Sequence, residues 1–319
     1  MKIEKRTRVA VITGASSGVG KATALEFASR GIAVVLAARG VRALNETVAE
    51  CRALGVEAIG VPTDTSNNDD VLHLSTEALK LTGTIDYWIN NAGVLAFGEF
   101  EEMPVEVVDQ VLKTNLLGYV HGSHAALNIF KRQQYGVLVN NISIGGWVSI
   151  PYGAAYSASK FGLRGLTESL QGEFSRFKHI HICAMYPGFQ NTPGIYHAAN
   201  YSGVKLTTPP PYSEPEKLAI AIADVVENPR NAVYPDWASP VIKTMNSIAP
   251  GLLRNTMATA VRLLQKYGPK EEAKPGNILD ANRSDMRVAG KQNTTDNKLL
   301  NAGIASLAVI GIFALLTKK

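Results

Sequence analysis

The chain has 319 residues, 46% hydrophobic and 18% charged, which describes a globular protein rather than a disordered one. That length makes one large domain or two modest ones. The net charge of +5 is spread thinly, with no long run of Lys or Arg, so nucleic acid is excluded as an expected partner.

The N-terminus, "MKIEKRTRVAVITG", has too short an apolar run for a secretory signal, and the folded part is expected in the cytoplasm. Two cysteines, Cys51 and Cys183, have no CxxC partner and read as reduced thiols. The histidines form no HExxH or Cys/His cluster, so no metal is expected.

In chain order, "RVAVITG" reads as a strand and residues 19–30 as a helix. "IAVVLAAR" follows as a strand, 41–54 as a helix, "VEAIGVPTD" as a strand and 68–81 as a helix. "IDYWINNAG" is the next strand, then a helix over 104–132, the strand "YGVLVNNIS", a helix over 155–177 and the strand "HIHICAMYPG". Continuous apolar strands alternating with helices predict a doubly wound α/β domain, a parallel sheet covered on both faces. Ligands of such folds sit beyond the carboxyl ends of the strands. Residues 189–215 hold five prolines without a clear period and read as a long loop over the ligand site. A helix over 214–227, the strand "AVYPD" and helical residues around 238–267 complete one domain, residues 1–268. Residues 269–298 are polar and read as a linker, and 299–316 as an apolar helix.

Between the first strand and first helix lies "TGASSGVGKA". Glycines 14, 18 and 20 allow a tight turn and a close approach of backbone to a pyrophosphate, while the helix start offers unpaired N–H groups, with Val19 between the last two glycines. Ser16 and Ser17 add hydroxyls. This predicts a dinucleotide site. At the end of the second strand, where an acidic residue would hold the ribose of NAD, the chain has Ala37, Ala38 and Arg39, which favours NADP through an arginine–phosphate pair and makes NAD the less expected cofactor.

These residues, with "NNAG" at 90–93, Asn115, Ser143, Tyr156-x3-Lys160 and "PG" at 187–188, resemble the short-chain dehydrogenases/reductases over about residues 8–240, in the branch with one compact Rossmann domain. The resemblance implies that Tyr156 is the acid–base on the substrate oxygen and that Ser143 holds and polarises that oxygen. It implies that Lys160 binds the nicotinamide ribose and lowers the tyrosine pKa, and that Asn115 supports a water relay to the lysine. Asp64, with Thr65 beside it, would contact the adenine; Asn91, Ala92 and Gly93 would line the cofactor; Pro187, Gly188 and Thr192 would sit near the nicotinamide. A homodimer or homotetramer is expected. Ile142 stands where the family often has a first serine, but Ser143, 13 residues before Tyr156, keeps the set intact.

Tyr and Lys at i and i+4 share a helix face, and a fixed ammonium favours phenolate, as does the positive nicotinamide ring of the oxidised cofactor. Phe97, Trp147, Tyr152, Phe189, Tyr196 and Tyr201 are candidate walls of an apolar substrate pocket, suiting a lipophilic carbonyl or alcohol of steroid, retinoid or fatty-ketone type. The alternative is a nucleotide-binding scaffold or redox sensor that keeps the fold without turnover. The segment "LLNAGIASLAVIGIFALL", 299–316, has no charge; at about 1.5 Å per residue it is about 27 Å long and is expected to anchor the chain in membrane lipid.

Overall fold

The computed structural model describes residues 6–280 and 286–290. The elements are β1 (Val9–Thr13), α1 (Gly18–Ser29), β2 (Ala33–Ala38), α2 (Val41–Ala53), β3 (Ala58–Pro62), α3 (Asn68–Thr82), β4 (Tyr87–Asn90) and β5 (Ala96–Gly98). Then come α4 (Val105–Leu112), α5 (Gly118–Gln133), β6 (Gly136–Asn141), α6 (Ala154–Phe174), β7 (Ile180–Met185), β8 (Phe189–Gln190), β9 (Ala199–Tyr201), β10 (Tyr212–Ser213), α7 (Pro215–Glu227), β11 (Ala232–Val233), α8 (Ala238–Ile248) and α9 (Pro250–Tyr267).

Seven strands form one parallel sheet in the order β11-β7-β6-β4-β1-β2-β3. The chain reverses its direction of winding between β1 and β4, and a crevice at that point is where doubly wound sheets bind ligands. Successive strand residues face opposite sides, so each strand feeds two cores. Ile12, Leu36, Ile89, Val139 and Met185 pack with Phe27 of α1 and Ile222 of α7, while Val11, Val35, Trp88, Leu138 and Ile182 pack with Leu74 of α3 and Phe130 of α5. Burial on both faces explains why these strands read as unbroken apolar runs rather than alternating ones. Cys51 and Cys183 are free and buried, and burial raises both thiols to about 11, which keeps them protonated.

Three local differences from the sequence reading have physical causes. The helix expected over 104–132 is α4 and α5 joined by a π-helical turn, Lys113–Leu117, an insertion that hydrophobic periodicity does not reveal. The helical stretch 238–267 breaks at Ala249 (φ −140°, ψ 63°), and Pro250, which has no N–H to donate, opens α9 at its first position. The loop 189–215 contains short strands: β8 pairs with β10, and β9 pairs with β5. The main-chain bonds of those pairs leave no mark in a proline-rich composition.

The apolar segment 299–316 lies outside the described residues. Among those described, no helix is long and apolar enough to cross a membrane. The described part of the stretch read as a linker is bonded to the domain: Lys270 and Lys274 form antiparallel bridges with Val204 and Asn200.

Candidate active site

The glycine turn is shaped by backbone proximity. Gly14 (φ +68°) has no room for a side chain, since a Cβ would lie 2.8 Å from the Ala92 Cα. A Cβ on Gly20 would lie 2.1 Å from the Gly14 carbonyl oxygen. Thr13 Oγ1 accepts the N–H groups of Asn91 (2.9 Å) and Ala92 (3.1 Å), fastening the end of β1 to the end of β4. Ser17 stands at the N-cap of α1 without a side-chain capping bond, so the first-turn N–H groups are not closed off by a hydroxyl. Around this turn, Asn141 Oδ1 at the end of β6 and Gln190 Oε1 in β8 are buried without a hydrogen-bond partner among the described residues. A helix start without a side-chain cap, glycines that admit close approach and unsatisfied buried acceptors fit a dinucleotide with its phosphates and its carboxamide.

Arg39 follows β2, as the sequence places it, but its guanidinium donates to the carbonyl oxygens of Ile278 (3.0 Å) and Asn277. Asp64 and Thr65 follow β3. Asp64 Oδ1 accepts from the Ser66 N–H (2.9 Å) and hydroxyl (2.7 Å), and the Thr65 carbonyl pairs with His121 Nδ1 at 3.0 Å.

Ser143, Tyr156 and Lys160 come together beyond the end of β6. Ser143 takes φ +109°, a region disfavoured for a side-chain-bearing residue, and its Oγ accepts the Gly145 N–H at 3.1 Å. A Cβ on Gly145 would lie 3.1 Å from the Tyr156 ring and 3.5 Å from Ser143 Oγ, so glycine there lets the phenol and the hydroxyl close up. Burial raises the Tyr156 phenol above its ordinary value, and a hydrogen bond with Ser143 opposes that rise. Lys160 is 4% exposed, and burial lowers its ammonium to about 7. Its Nζ sits 5.5 Å from the Tyr156 ring centre and 5.2 Å from that of Tyr119. In the protein alone, burial sets the direction of the tyrosine's shift; the lowered phenol expected from the sequence combines the lysine with the positive charge of an oxidised nicotinamide.

Asn115 lies in the π turn, fully buried. Its side chain accepts the Val94 N–H (2.7 Å) and donates to the Val94 carbonyl (2.8 Å), which fixes the chain just after Gly93. A weaker contact reaches Ser159 Oγ at 3.4 Å, beside Lys160.

The turn at Pro187–Gly188 is held by two bonds. Ile144 N–H donates to the Pro187 carbonyl at 2.8 Å, and Gly188 N–H donates to Asp236 Oδ2 at 2.7 Å. Asp236 also accepts from the Ser239 N–H (2.8 Å), capping the start of α8. Sequence reasoning missed Asp236, which is 48 residues from Gly188 and belongs to no motif. Thr192 packs on the glycine turn, with its Cβ 3.4 Å from the position of a Cβ on Gly18.

The aromatic candidates divide. Phe97 and Tyr152 have ring centres 6.1 Å apart, and the Gly98 N–H donates to the Tyr152 carbonyl at 2.9 Å. Phe97 pairs in register with Asn200, next to Tyr201. Trp147 lies in a different cluster, 5.8 Å from Tyr186 and between the cations of Arg164 (4.2 Å) and Lys243 (3.9 Å). Phe189 lies in β8, and Tyr196 follows a short turn at Pro193–Ile195.

A family model described as short chain dehydrogenase matches residues 8–199. The chain belongs to that family and is an oxidoreductase of the class that acts on alcohol and ketone groups. Among curated proteins it is 33% identical over 264 residues to the uncharacterized oxidoreductase YxnA of Bacillus subtilis, covering 81% of this chain and 73% of that one. Among solved structures it resembles a short chain dehydrogenase/reductase from Burkholderia phymatum in complex with NAD (TM-score 0.69, 28% identity, 79% of this chain and 97% of that one). It also resembles an alcohol dehydrogenase from Thermococcus sibiricus complexed with 5-hydroxy-NADP (TM-score 0.63, 29% identity, 72% of this chain and 96% of that one).

The buried lysine makes a testable link between site and stability. Its folded pKa is lowered to about 7 from an ordinary 10.5, so folding disfavours the charged form. That cost is absent above pH 10.5, grows as pH falls towards 7 and is constant below. Lys160→Met is therefore expected to raise the melting temperature, by more near about pH 7 than near about pH 9, while turnover is lost. Thermal melts across that range check the sign; a variant less stable than the parent at both pH values contradicts it.

Proposed function

We propose that this chain is an NADP(H)-dependent oxidoreductase that moves a hydride between the nicotinamide and the carbonyl or alcohol carbon of a lipophilic small molecule. The observation that carries the reading is the Tyr156 phenol, hydrogen-bonded to Ser143 and flanked by the buried Lys160, beyond the carboxyl end of the sheet. Bound NADPH supplies the hydride.

The chain's own residues supply orientation and the proton. Tyr156 gives its phenolic proton to the substrate oxygen as the carbonyl is reduced and takes it back in oxidation. Ser143, held by its strained backbone, donates a hydrogen bond to the same oxygen and fixes the face presented. Lys160, with its pKa brought near working pH by burial, favours the phenolate and returns a proton to Tyr156 through a path that Asn115 keeps in place. Phe97 and Tyr152 form an apolar wall, which supports a lipophilic substrate. Arg39 at the end of β2, with no carboxylate in Ala37 or Ala38, supports NADP over NAD. The uncharged segment 299–316 supports a membrane anchor for the catalytic domain.

Tyr156→Phe is expected to lower kcat by at least about a hundredfold while NADPH affinity changes by less than about twofold, read by NADPH consumption over a panel of carbonyls and by fluorescence titration. Near-normal turnover removes the phenol from the mechanism. Arg39→Asp is expected to shift the NADPH/NADH ratio of kcat/KM by about tenfold or more towards NADH, and an unchanged ratio rejects the cofactor assignment. Deleting residues 299–319 is expected to move the protein from the membrane fraction to the soluble one. Finding the full chain wholly soluble overturns the anchor.

A further inference from the structure

After α9 the chain returns across the domain and attaches to the dinucleotide site itself. Lys205 N–H donates to the Pro269 carbonyl (2.9 Å), Lys274 N–H to that of Asn200 (3.0 Å) and Asn277 N–H to that of His197 (2.9 Å). Gly276, with φ +60°, turns so tightly against residues 197–198 that a Cβ would lie 2.3 Å from the His197 carbonyl oxygen. Ile278 is then fully buried in the cluster that holds Val94, Ala96, Val107 and Ala155.

The bonds that follow fall on the elements of the cleft. The carbonyls of Asn277 and Ile278 accept from the Arg39 guanidinium. The carbonyl of Arg287 accepts the Gly18 N–H, at the start of α1, at 2.9 Å. Gly290 N–H donates to the Asn191 carbonyl at 3.0 Å, and a Cβ on Gly290 would lie 3.0 Å from the Thr192 carbonyl oxygen. Residues 277–278 and 287–290 thus hold the arginine placed for a 2′-phosphate, the helix start placed for a pyrophosphate and the loop that faces the glycine turn.

We propose that residues 277–280 and 286–290 are an intramolecular competitor of NADP(H), occupying the dinucleotide's hydrogen-bond donors and leaving them when the cofactor binds. The inference rests on the dinucleotide reading above. A backbone N–H is a single donor, so Gly18 cannot bond Arg287 and a phosphate oxygen together at full strength. A lid that closes over a ligand bonds to that ligand; this segment bonds to the donors the ligand needs. Phosphate oxygens are stronger acceptors than neutral carbonyls, so the cofactor displaces the segment but binds with an affinity reduced by the fraction of molecules in the open state. Ile278 is the anchor, because its burial holds the two carbonyls at Arg39.

Hydrogen exchange on the full chain, with and without NADPH, tests the displacement directly. Exchange is expected to speed up at residues 268–280 and 286–290 when NADPH is added. Ile278→Ser, which loosens the anchor without substituting any cleft residue, is expected to tighten NADPH binding by about fivefold to tenfold in a fluorescence titration. Slower exchange of the segment with NADPH, or weaker binding by Ile278→Ser, overturns the proposal in favour of a lid. Unchanged exchange and affinity overturn it as well. Absence of NADPH binding by both proteins would sink the dinucleotide reading and this proposal with it.

Discussion

A lysine ammonium enclosed by protein is the constraint on which the candidate site depends. Lys160 is almost fully buried, and desolvation alone accounts for its lowered pKa; no carboxylate among the described residues compensates it. Placing a base there is unfavourable, and the helix tolerates it because the surrounding fold supplies the stability. What the arrangement gains is proximity: on α6 the lysine and the tyrosine are one turn apart, and the faces of two aromatic rings lie within cation–π range of the ammonium. A lysine free in solvent would keep its charge and lose its effect on the phenol through screening.

The neighbours of that lysine show the same exchange of local comfort for position. Ser143 holds a positive φ next to a helical turn, and the π turn around Asn115 replaces regular helix at the level of Val94. Irregular backbone of this kind costs of order 1–3 kcal/mol per strained residue and persists where the structure around it is over-determined. Here the over-determination is visible in bonds. Both backbone groups of Val94 are bonded to Asn115, Ile144 N–H is bonded to Pro187, and Gly188 N–H is bonded to Asp236.

How much of this is legible in the sequence follows from what kind of interaction carries each part. The doubly wound sheet is legible because burial on both faces writes continuous apolar strands into the chain. The glycine turn and the Tyr–Lys pair are legible because each needs particular residue types at short spacing, and Gly14 and Gly20 have no space for anything larger. Asp236 is not legible, since its partner Gly188 is distant in sequence and offers only a backbone N–H. The docking of residues 269–280 and 286–290 is not legible for a related reason. It attaches through carbonyls and N–H groups that every residue has, and its polar side chains resemble a linker. The setting of Trp147 is not legible either: aromatic and close to Ser143 in sequence, it meets the cations of Arg164 and Lys243, which are distant from it along the chain.

The two "NN" pairs, at 90–91 and 140–141, join these parts. Asn90 and Asn140 stand opposite each other in the β4–β6 register, and consecutive residues of extended chain face opposite ways. Asn90 Nδ2 donates to Asn140 Oδ1 (2.9 Å), Asn140 Nδ2 donates to Thr167 Oγ1 (3.0 Å), and Trp88 Nε1 donates back to Asn90 Oδ1 (2.9 Å). On the other side Asn141 Nδ2 donates to Asn91 Oδ1 (2.9 Å), and Asn91 Nδ2 donates to the Thr13 carbonyl (3.1 Å). Amides are suited to this because each both donates and accepts, so a chain of them closes without leaving a charge in the core. The first ladder ties the sheet to α6, the helix of Tyr156 and Lys160; the second ties β6 to the glycine turn. Ser143 lies two residues beyond Asn141, and Gly93 two residues beyond Asn91. The Tyr–Lys helix and the glycine turn are therefore positioned by two ladders of hydrogen bonds built on adjacent residues of the same two strand ends, and movement of either strand end would misplace both.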